Sequence, residues 1–251
     1  MIERYPILDV WVDAVDMRLA LEKVVEFVES GDRVHTIFAS NPEKNFSVPR
    51  DPLLYKMFQE ADLLIPDGIG MVLAAGILHG ARLERVPGCE LMQNICGLAA
   101  ERGYEIFIYG AREEVNKAAA DRLAVRFPGL RIAGRAHGYI PDAEMDALIG
   151  RINASGARIL FLALGSPKQE QWISRYRERL GRVRVCQGIG GTLDVLAGIV
   201  KRAPDFYCRL GLEWLYRLLS EPRRLGRQKV LPVFAWRVAR EKLRRLVSVS
   251  G

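Results

Sequence analysis

The side chains in this sequence that could do chemistry stand just after short apolar runs. Pro66-Asp67-Gly68-Ile69-Gly70 follows Asp62–Ile65 (DLLI) and sets one carboxylate where the chain turns toward a helix. Asp67 taken alone would serve as a helix cap, but at a strand exit it lies where open α/β sheets bind ligands. Ser40-Asn41-Pro42-Glu43-Lys44 follows the first strong apolar run, and Tyr109-Gly110-Ala111 follows a later one. Gly134 with His137-Gly138-Tyr139, then Gly165-Ser166-Pro167-Lys168-Gln169-Glu170, and finally Gln187 through Gly190-Gly191-Thr192-Leu193-Asp194 repeat the arrangement. Glycines at such exits let backbone N–H groups approach a ligand, and the following helix N-termini favour anions, which points to a nucleotide or phosphate site. Each piece alone is generic. Gly188-x-Gly190-Gly191 lacks the third glycine of the dinucleotide fingerprint, and no Gly-x4-Gly-Lys-Ser/Thr loop exists. Lys168-Gln169-Glu170 reads equally as solvated polarity, and Arg85, in the loop Arg82–Glu90, as one surface arginine among many.

The elements that must position these residues alternate along the chain. Val34–Ala39, Asp62–Ile65, Glu105–Tyr109, Leu130–Ala133, Arg158–Leu164 and Val183–Cys186 read as strands, mostly apolar on both faces. Arg18–Glu29, Met71–Leu78, Glu113–Phe127, Ala143–Asn153 and Lys168–Leu180 carry apolar residues at helical spacing. Strands apolar on both faces call for a parallel sheet covered on each side. The expected fold is therefore α/β: a doubly wound, Rossmann-like, mostly parallel sheet over residues 1–202, with Arg102-Gly103 as a candidate divide between half-domains. From residue 203 to 251 no further strand is expected, only helices around Leu210–Leu219 and Val233–Val247, with Pro222 and Pro232 as breakers.

That C-terminal appendage holds 13 Lys and Arg against 4 Asp and Glu, whereas residues 1–200 hold 24 against 26. The net charge of +7 thus sits wholly in the last fifth, interleaved with Trp214, Tyr216, Phe234 and Trp236. On a helical wheel Val233, Trp236, Leu243 and Val247 form one strip beside Arg237, Arg240 and Arg244. Such a tail suits an anionic partner: phospholipid, a polyanion or a phosphorylated substrate. No apolar run reaches the ~18 residues of a membrane span, and the N-terminus does not read as a signal peptide. Cys89, Cys96, Cys186 and Cys208 form no Cys-x-x-Cys pair and are expected as free thiols; three separated histidines give no metal spacing.

Together the strings are far more specific than their parts. Asn41-Pro42-Glu43, Pro66-Asp67-Gly68-Ile69-Gly70, Arg85-x-x-Gly88, Tyr109-Gly110-Ala111, Gly165-Ser166-Pro167-Lys168-Gln169-Glu170 and Gly190-Gly191-Thr192-x-Asp194 occur in one order. Arg202-Ala203-Pro204, Glu213-Trp214-Leu215-Tyr216-Arg217 and Glu221-Pro222-x-Arg224 continue it. This resembles the WecG/TagA/CpsF glycosyltransferase family over residues 5–245. The resemblance implies an enzyme moving an N-acetylmannosamine-type sugar from a UDP donor to undecaprenyl-diphosphate-linked GlcNAc, in bacterial cell-surface polymer synthesis of the wall teichoic acid kind. It would work in the cytoplasm, peripheral on the inner membrane face. Carried over residue by residue, Asp67 is the general base of an inverting displacement, with Asn41, Arg85 and Gln169 orienting sugar or diphosphate. Gly110, Ala111, Gly138, Tyr139, Gly165, Pro167, Gly190, Gly191 and Asp194 are the expected UDP site. Arg217, Arg224 and Arg227 of the appendage would close over the pocket and reach the diphosphates. No cofactor and no metal are expected, in keeping with the absence of an Asp-x-Asp pair; the partners are the two substrates and an anionic membrane surface, with a labile homo-oligomer and no nucleic acid. Two positions depart from the family pattern: Ala39, often Thr, and Glu90, often Asp. A cofactor enzyme (dehydrogenase or methyltransferase) built on the Gly188–Gly191 turn, and a nucleic-acid-binding protein using the tail, are the alternatives.

Overall fold

A computed structural model describes residues 2–200, 204, 206–207, 215–216 and 229–249 of the chain. It opens with an antiparallel hairpin, β1 (Arg4–Ile7) and β2 (Val10–Asp13), followed by α1 (Met17–Ser30). Then come β3 (His35–Ser40), α2 (Lys44–Ser47), α3 (Pro52–Gln59), β4 (Leu63–Pro66), α4 (Ile69–His79) and α5 (Gly88–Arg102). The second half runs β5 (Glu105–Gly110), α6 (Glu113–Arg126), β6 (Arg131–Ala136), α7 (Met145–Ala154), β7 (Ile159–Ala163), α8 (Lys168–Tyr176), β8 (Val185–Gly188) and α9 (Thr192–Leu196). A long helix, α10 (Val230–Val249), closes the described chain.

Strands β3 to β8 make one parallel six-stranded sheet in the order β4-β3-β8-β7-β5-β6. Side chains alternate across it as period-two geometry requires. Phe38, Leu64, Phe107, Leu160 and Cys186 face one layer, built from α3, α4, α7, α8, α10 and the hairpin. Ile37, Leu63, Ile65, Ile106, Ile108, Ile159, Phe161 and Val185 face the other, built from α1, α5, α6 and α9. Burial on both faces accounts for the unbroken apolar runs, each large side chain contributing about 1.5–3 kcal/mol. The doubly wound parallel expectation therefore holds.

Several boundaries differ from the sequence-based expectation, each for a local reason. Gly134, read as lying beyond a strand, is inside β6, which extends to Ala136. It is glycine because a Cβ there would stand 2.4 Å from the Phe107 ring on β5, beside a register shift between Ile106 and Phe107. At Arg102-Gly103 the chain passes from β3 and β4 on one side of the sheet to β5 to β8 on the other: Gly103, at φ 71°, caps α5, and β8 bonds to β3 in one continuous sheet. The Arg82–Glu90 loop ends early, because α5 starts at Gly88 after Pro87. The helix expected over Lys168–Leu180 turns 3-10 at Arg177–Arg179.

The unanticipated hairpin covers the sheet's edge. Asp13, 2% exposed, accepts the Leu64 N–H of edge strand β4 at 2.7 Å and pairs with Arg4 at 2.6 Å. One outward-facing donor of that edge strand is thereby satisfied. Helix α10 packs on α4 through buried Phe234 and Val238, and Arg237 pairs with Asp9 at 2.5 Å. The expected strip of Val233, Trp236, Leu243 and Val247 is exposed, with the Arg240 guanidinium 5.4 Å over the Trp236 ring. Arg237 differs from expectation, turning inward to Asp9 and the Phe46 ring. Arg217, Arg224, Arg227 and, apart from Leu215 and Tyr216, the helix expected over Leu210–Leu219 lie outside the described residues.

Candidate active site

Every strand exit chosen from the sequence opens on one edge of the sheet, because all six strands run parallel. At the β4 end Pro66 pairs with Ser40, and the Asp67 N–H donates to Ser40 O at 3.1 Å. The half-buried Asp67 carboxylate accepts the Gly88 N–H through Oδ1 at 2.8 Å, so it caps the first turn of α5 from across a loop. Arg85 meets the same residue at its backbone, donating Nε to Asp67 O at 2.9 Å. A Cβ on Gly88 would stand 3.7 Å from Asp67 Oδ1 and 3.8 Å from the Ala39 methyl. The departure at Ala39 thus lies within this corner. Asn41 is adjacent: its Cβ lies 3.4 Å from the Cβ position of Gly68. Asn41 Oδ1 is buried without a hydrogen-bond partner among the described residues.

The next corner joins the exits of β8 and β7. Gln169, 6% exposed in the first turn of α8, accepts the Gly190 N–H at Oε1 (3.2 Å) and donates Nε2 to Glu170 Oε1 (3.3 Å). A Cβ on Gly188 would stand 2.4 Å from Gln169 Nε2, so a side chain there would displace that amide. Lys44, 8% exposed at the start of α2, donates to Glu170 Oε1 at 3.1 Å and to Ser166 Oγ at 2.5 Å. Gly191 and Asp194 flank the start of α9, where the Asp194 carbonyl accepts the Ile199 N–H at 2.9 Å.

The third corner gathers Gly110, Ala111 and Gly138 against Leu164. Gly110 takes φ 131° and passes so close to β7 that a Cβ would stand 2.4 Å from the Ala163 carbonyl carbon. Ala111 takes φ 56°, a left-handed conformation costing a residue with a side chain about 1–3 kcal/mol. It persists because Ala111 N–H donates to Ala163 O at 3.0 Å and Ala111 O accepts Gly138 N–H at 2.8 Å. A Cβ on Gly138 would lie 3.0 Å from Leu164 Cδ2 and 3.1 Å from Gly110 Cα. Tyr139 follows, 72% exposed. Below the corner, burial pushes the Tyr109 phenol up to about 12, so it stays protonated at neutral pH. Strand β5 leads outward to β6 while its neighbour β7 leads inward to β8, so these two exits form a topological switch point.

The edge thus brings Asp67, Asn41 and Arg85 together at one end, Gly110, Ala111 and Gly138 at the other, and Gln169, Gly165, Pro167 and Gly190 between. Strands about 4.8 Å apart put the β7 exit roughly 14 Å from that of β4, and the β5 exit roughly 19 Å away. Sequence reasoning missed the residues that tie these corners. Gln187, 1% exposed on β8, donates Nε2 to Gly88 O at 3.1 Å, linking the central strand to the turn that holds Asp67. Its one signal was an amide directly after the apolar run Val183–Cys186. Lys44 and Glu170 gave less, each being one charged residue in a string already chosen for another residue, Asn41 and Gln169. Among the described residues no three His, Cys, Asp or Glu side chains cluster as a metal site, and no helix is long and apolar enough to cross a membrane.

A family model described as the glycosyl transferase WecG/TagA/CpsF family matches residues 5–248. The chain belongs to that family. It is accordingly a glycosyltransferase, and the alternatives drawn from the Gly188–Gly191 turn are set aside. Relatives include the N-acetylglucosaminyldiphosphoundecaprenol N-acetyl-beta-D-mannosaminyltransferase of Bacillus spizizenii, 35% identical over 206 residues, covering 82% of this chain and 79% of the relative. The proteins of the same name from Bacillus subtilis strain 168 and Staphylococcus aureus are 34% and 35% identical over 203 and 207 residues. Coverage there is 80% of this chain and 78% of the first relative, and 82% and 80% for the second.

Proposed function

We propose that this glycosyltransferase moves an N-acetylmannosamine-type sugar from a UDP donor to the GlcNAc of a polyprenyl-diphosphate acceptor, at the anionic cytoplasmic face of a membrane. One observation carries the reading: the Asp67 carboxylate is fixed by the Gly88 N–H on the same edge as the glycine turns of the switch point. The nucleotide occupies the turns at Gly110, Ala111, Gly138 and Gly165, where absent side chains leave room for a diphosphate to lie against the backbone. Asn41, Arg85 and Gln169 orient the sugars and the diphosphate between the two ends. Asp67 takes the proton of the acceptor hydroxyl as that oxygen bonds to the donor's anomeric carbon; the carbon–oxygen bond to UDP breaks, UDP departs with the electron pair, and configuration inverts. Arginines carry the leaving charge in place of a metal, Arg217, Arg224 and Arg227 being the candidates from the appendage. The exposed apolar strip of α10, with Arg240 beside Trp236, supports a peripheral membrane contact.

The test is an assay of purified protein with UDP-N-acetylmannosamine and a short-chain lipid-diphosphate-GlcNAc, reading disaccharide and released UDP. Transfer specific to that donor, undiminished by EDTA, is expected. Transfer only from a different UDP-sugar would replace the donor assignment, and loss of activity with EDTA would replace the metal-free step.

A further inference from the structure

We infer that Glu170, held in place by Lys44, is a positioning residue that sets the orientation of the Gln169 side-chain amide and through it the Gly190 turn. The inference rests on the proposed place of Gln169 in the donor pocket. A glutamine amide is nearly symmetric in shape, so only its partners decide which end faces where. Here the nitrogen faces Glu170 Oε1 and the oxygen faces the Gly190 N–H. Reversing the amide would set its oxygen against a carboxylate and its NH2 against a backbone donor, two repulsions at once. Gly188 removes the obstacle that would otherwise push the amide off β8. An acceptor oxygen at position 170, here a carboxylate, therefore encodes the direction of the dipole that Gln169 presents.

Lys44 extends the device to a third strand exit. Its ammonium bridges Glu170 Oε1 and Ser166 Oγ and lies 5.0 Å from the centre of the Phe58 ring, while its own N–H donates to Asn41 O at 3.0 Å. One buried pair thus joins the turns carrying Asn41, Gly165–Pro167, Gln169 and Gly190, which β3, β7 and β8 deliver separately. A buried ion pair adds little stability over well-packed apolar residues, whereas its hydrogen-bond directions are fixed. What the pair supplies to Gln169 is an acceptor oxygen held in one place, which a neutral amide at position 170 also supplies. Neither residue faces solvent, Glu170 being 1% exposed, so neither is assigned contact with the reacting atoms.

Two double variants separate positioning from packing. K44M/E170Q removes both charges but keeps an oxygen at position 170 to accept from Gln169; K44M/E170L removes the oxygen as well. Amide hydrogen exchange at Gly190, melting temperature and transfer kinetics are read for each in the full chain. K44M/E170Q is expected to keep Gly190 protection and kcat/KM within about threefold of the parent, since one neutral acceptor replaces a charged one. K44M/E170L is expected to exchange Gly190 about tenfold faster and to lose roughly 100-fold in kcat/KM, with a melting temperature within about 3 °C of its partner variant. Equal behaviour of the two variants, both intact or both impaired, would overturn the inference. If K44M/E170L does not fold, G188A takes its place: its methyl displaces the Gln169 amide and is expected to raise Gly190 exchange equally, and unchanged exchange would overturn the inference. Absence of any transfer by the parent protein would remove the proposed reaction, while Gly190 exchange would still decide the orientation claim.

Discussion

Replacing Asp67 tests the proposed chemistry and its structural frame together, because the carboxylate has two separable jobs. As the base it removes a proton, a contribution of roughly 10²–10⁴ in rate. As a remote cap it accepts the Gly88 N–H at 2.8 Å, at the first turn of α5. Asp67→Asn keeps an oxygen for that N–H and loses only the charge facing the helix N-terminus, about 0.5 kcal/mol. Asp67→Ala loses the cap entirely, about 1 kcal/mol, or about 3 °C in melting temperature for a chain of this size. Both variants should therefore fall at least ~100-fold in kcat and kcat/KM alike, while melting separates them, alanine below asparagine. UDP affinity should hold in both, since the switch-point turns lie roughly 14–19 Å along the edge. Steady-state transfer kinetics, thermal melts and UDP titration make the comparison. Turnover within tenfold of the parent in Asp67→Asn would remove Asp67 as the base. Loss of UDP binding in both would show that the nucleotide lies at the β4 end.

Three other measurements probe separate parts of the molecule. Burial alone would raise the Asp62 carboxyl, but the Arg33 pair and the Thr36 N–H outweigh it and hold the group below 3.8. The folded state therefore binds the proton less readily than the unfolded one, so this contribution to stability is full above the ordinary value and is lost as pH falls through the lowered one. Urea denaturation should show the deficit of Asp62→Asn at about pH 7 shrinking toward about pH 3, and a deficit constant with pH would contradict this. For the membrane contact, W236S/L243S should bind anionic vesicles at least ~10-fold more weakly at unchanged fold, and undiminished flotation would refute the assignment of the strip. Finally, burial pushes the Cys96 thiol up to about 12 and Cys186 higher still. Both should resist iodoacetamide at about pH 8 until the chain unfolds, as peptide mapping would show; rapid native labelling of either would contradict their burial.

The parallel sheet was legible because strands buried on both faces leave a composition that no loop or amphipathic helix mimics. Ile159–Ala163, five apolar residues and all buried, is the plainest case. The hairpin was not legible, since its strands are only four residues long and include Pro6, although Ile7, Val10 and Val12 are buried in the core. Helix α5 escaped because Gly88, Gly97 and scattered polar residues blur its periodicity, although it is buried at Leu91, Met92, Ile95 and Ala99. Gly134 was misplaced because a glycine admitting a neighbouring ring looks, in sequence, like one ending a strand. In the site, strand exits and their glycines were readable from local spacing. The couplings between them were not: Lys44 meets Glu170 across 126 residues and Gln187 meets Gly88 across 99. No local pattern reports contacts of that span.

These couplings bear on how one edge serves two substrates. The turns at Gly110 and Gly138 are closed by backbone bonds among themselves, whereas Asp67 is tied to Gly88 and thence to Gln187 on the central strand. A nucleotide at the switch point and a hydroxyl at Asp67 would thus be registered through β8 and the Lys44–Glu170 pair, not by direct contact. Helix α4 begins two residues after Asp67, and α10 packs upon it with Phe234 3.6 Å from the Cβ position of Gly70. The carboxylate end of the edge is therefore the end nearest the basic, apolar-faced helix. A lipid-borne acceptor held against that helix would present its sugar to Asp67 from the membrane side. The soluble donor would enter at the opposite end, so the two substrates need not compete for one entrance.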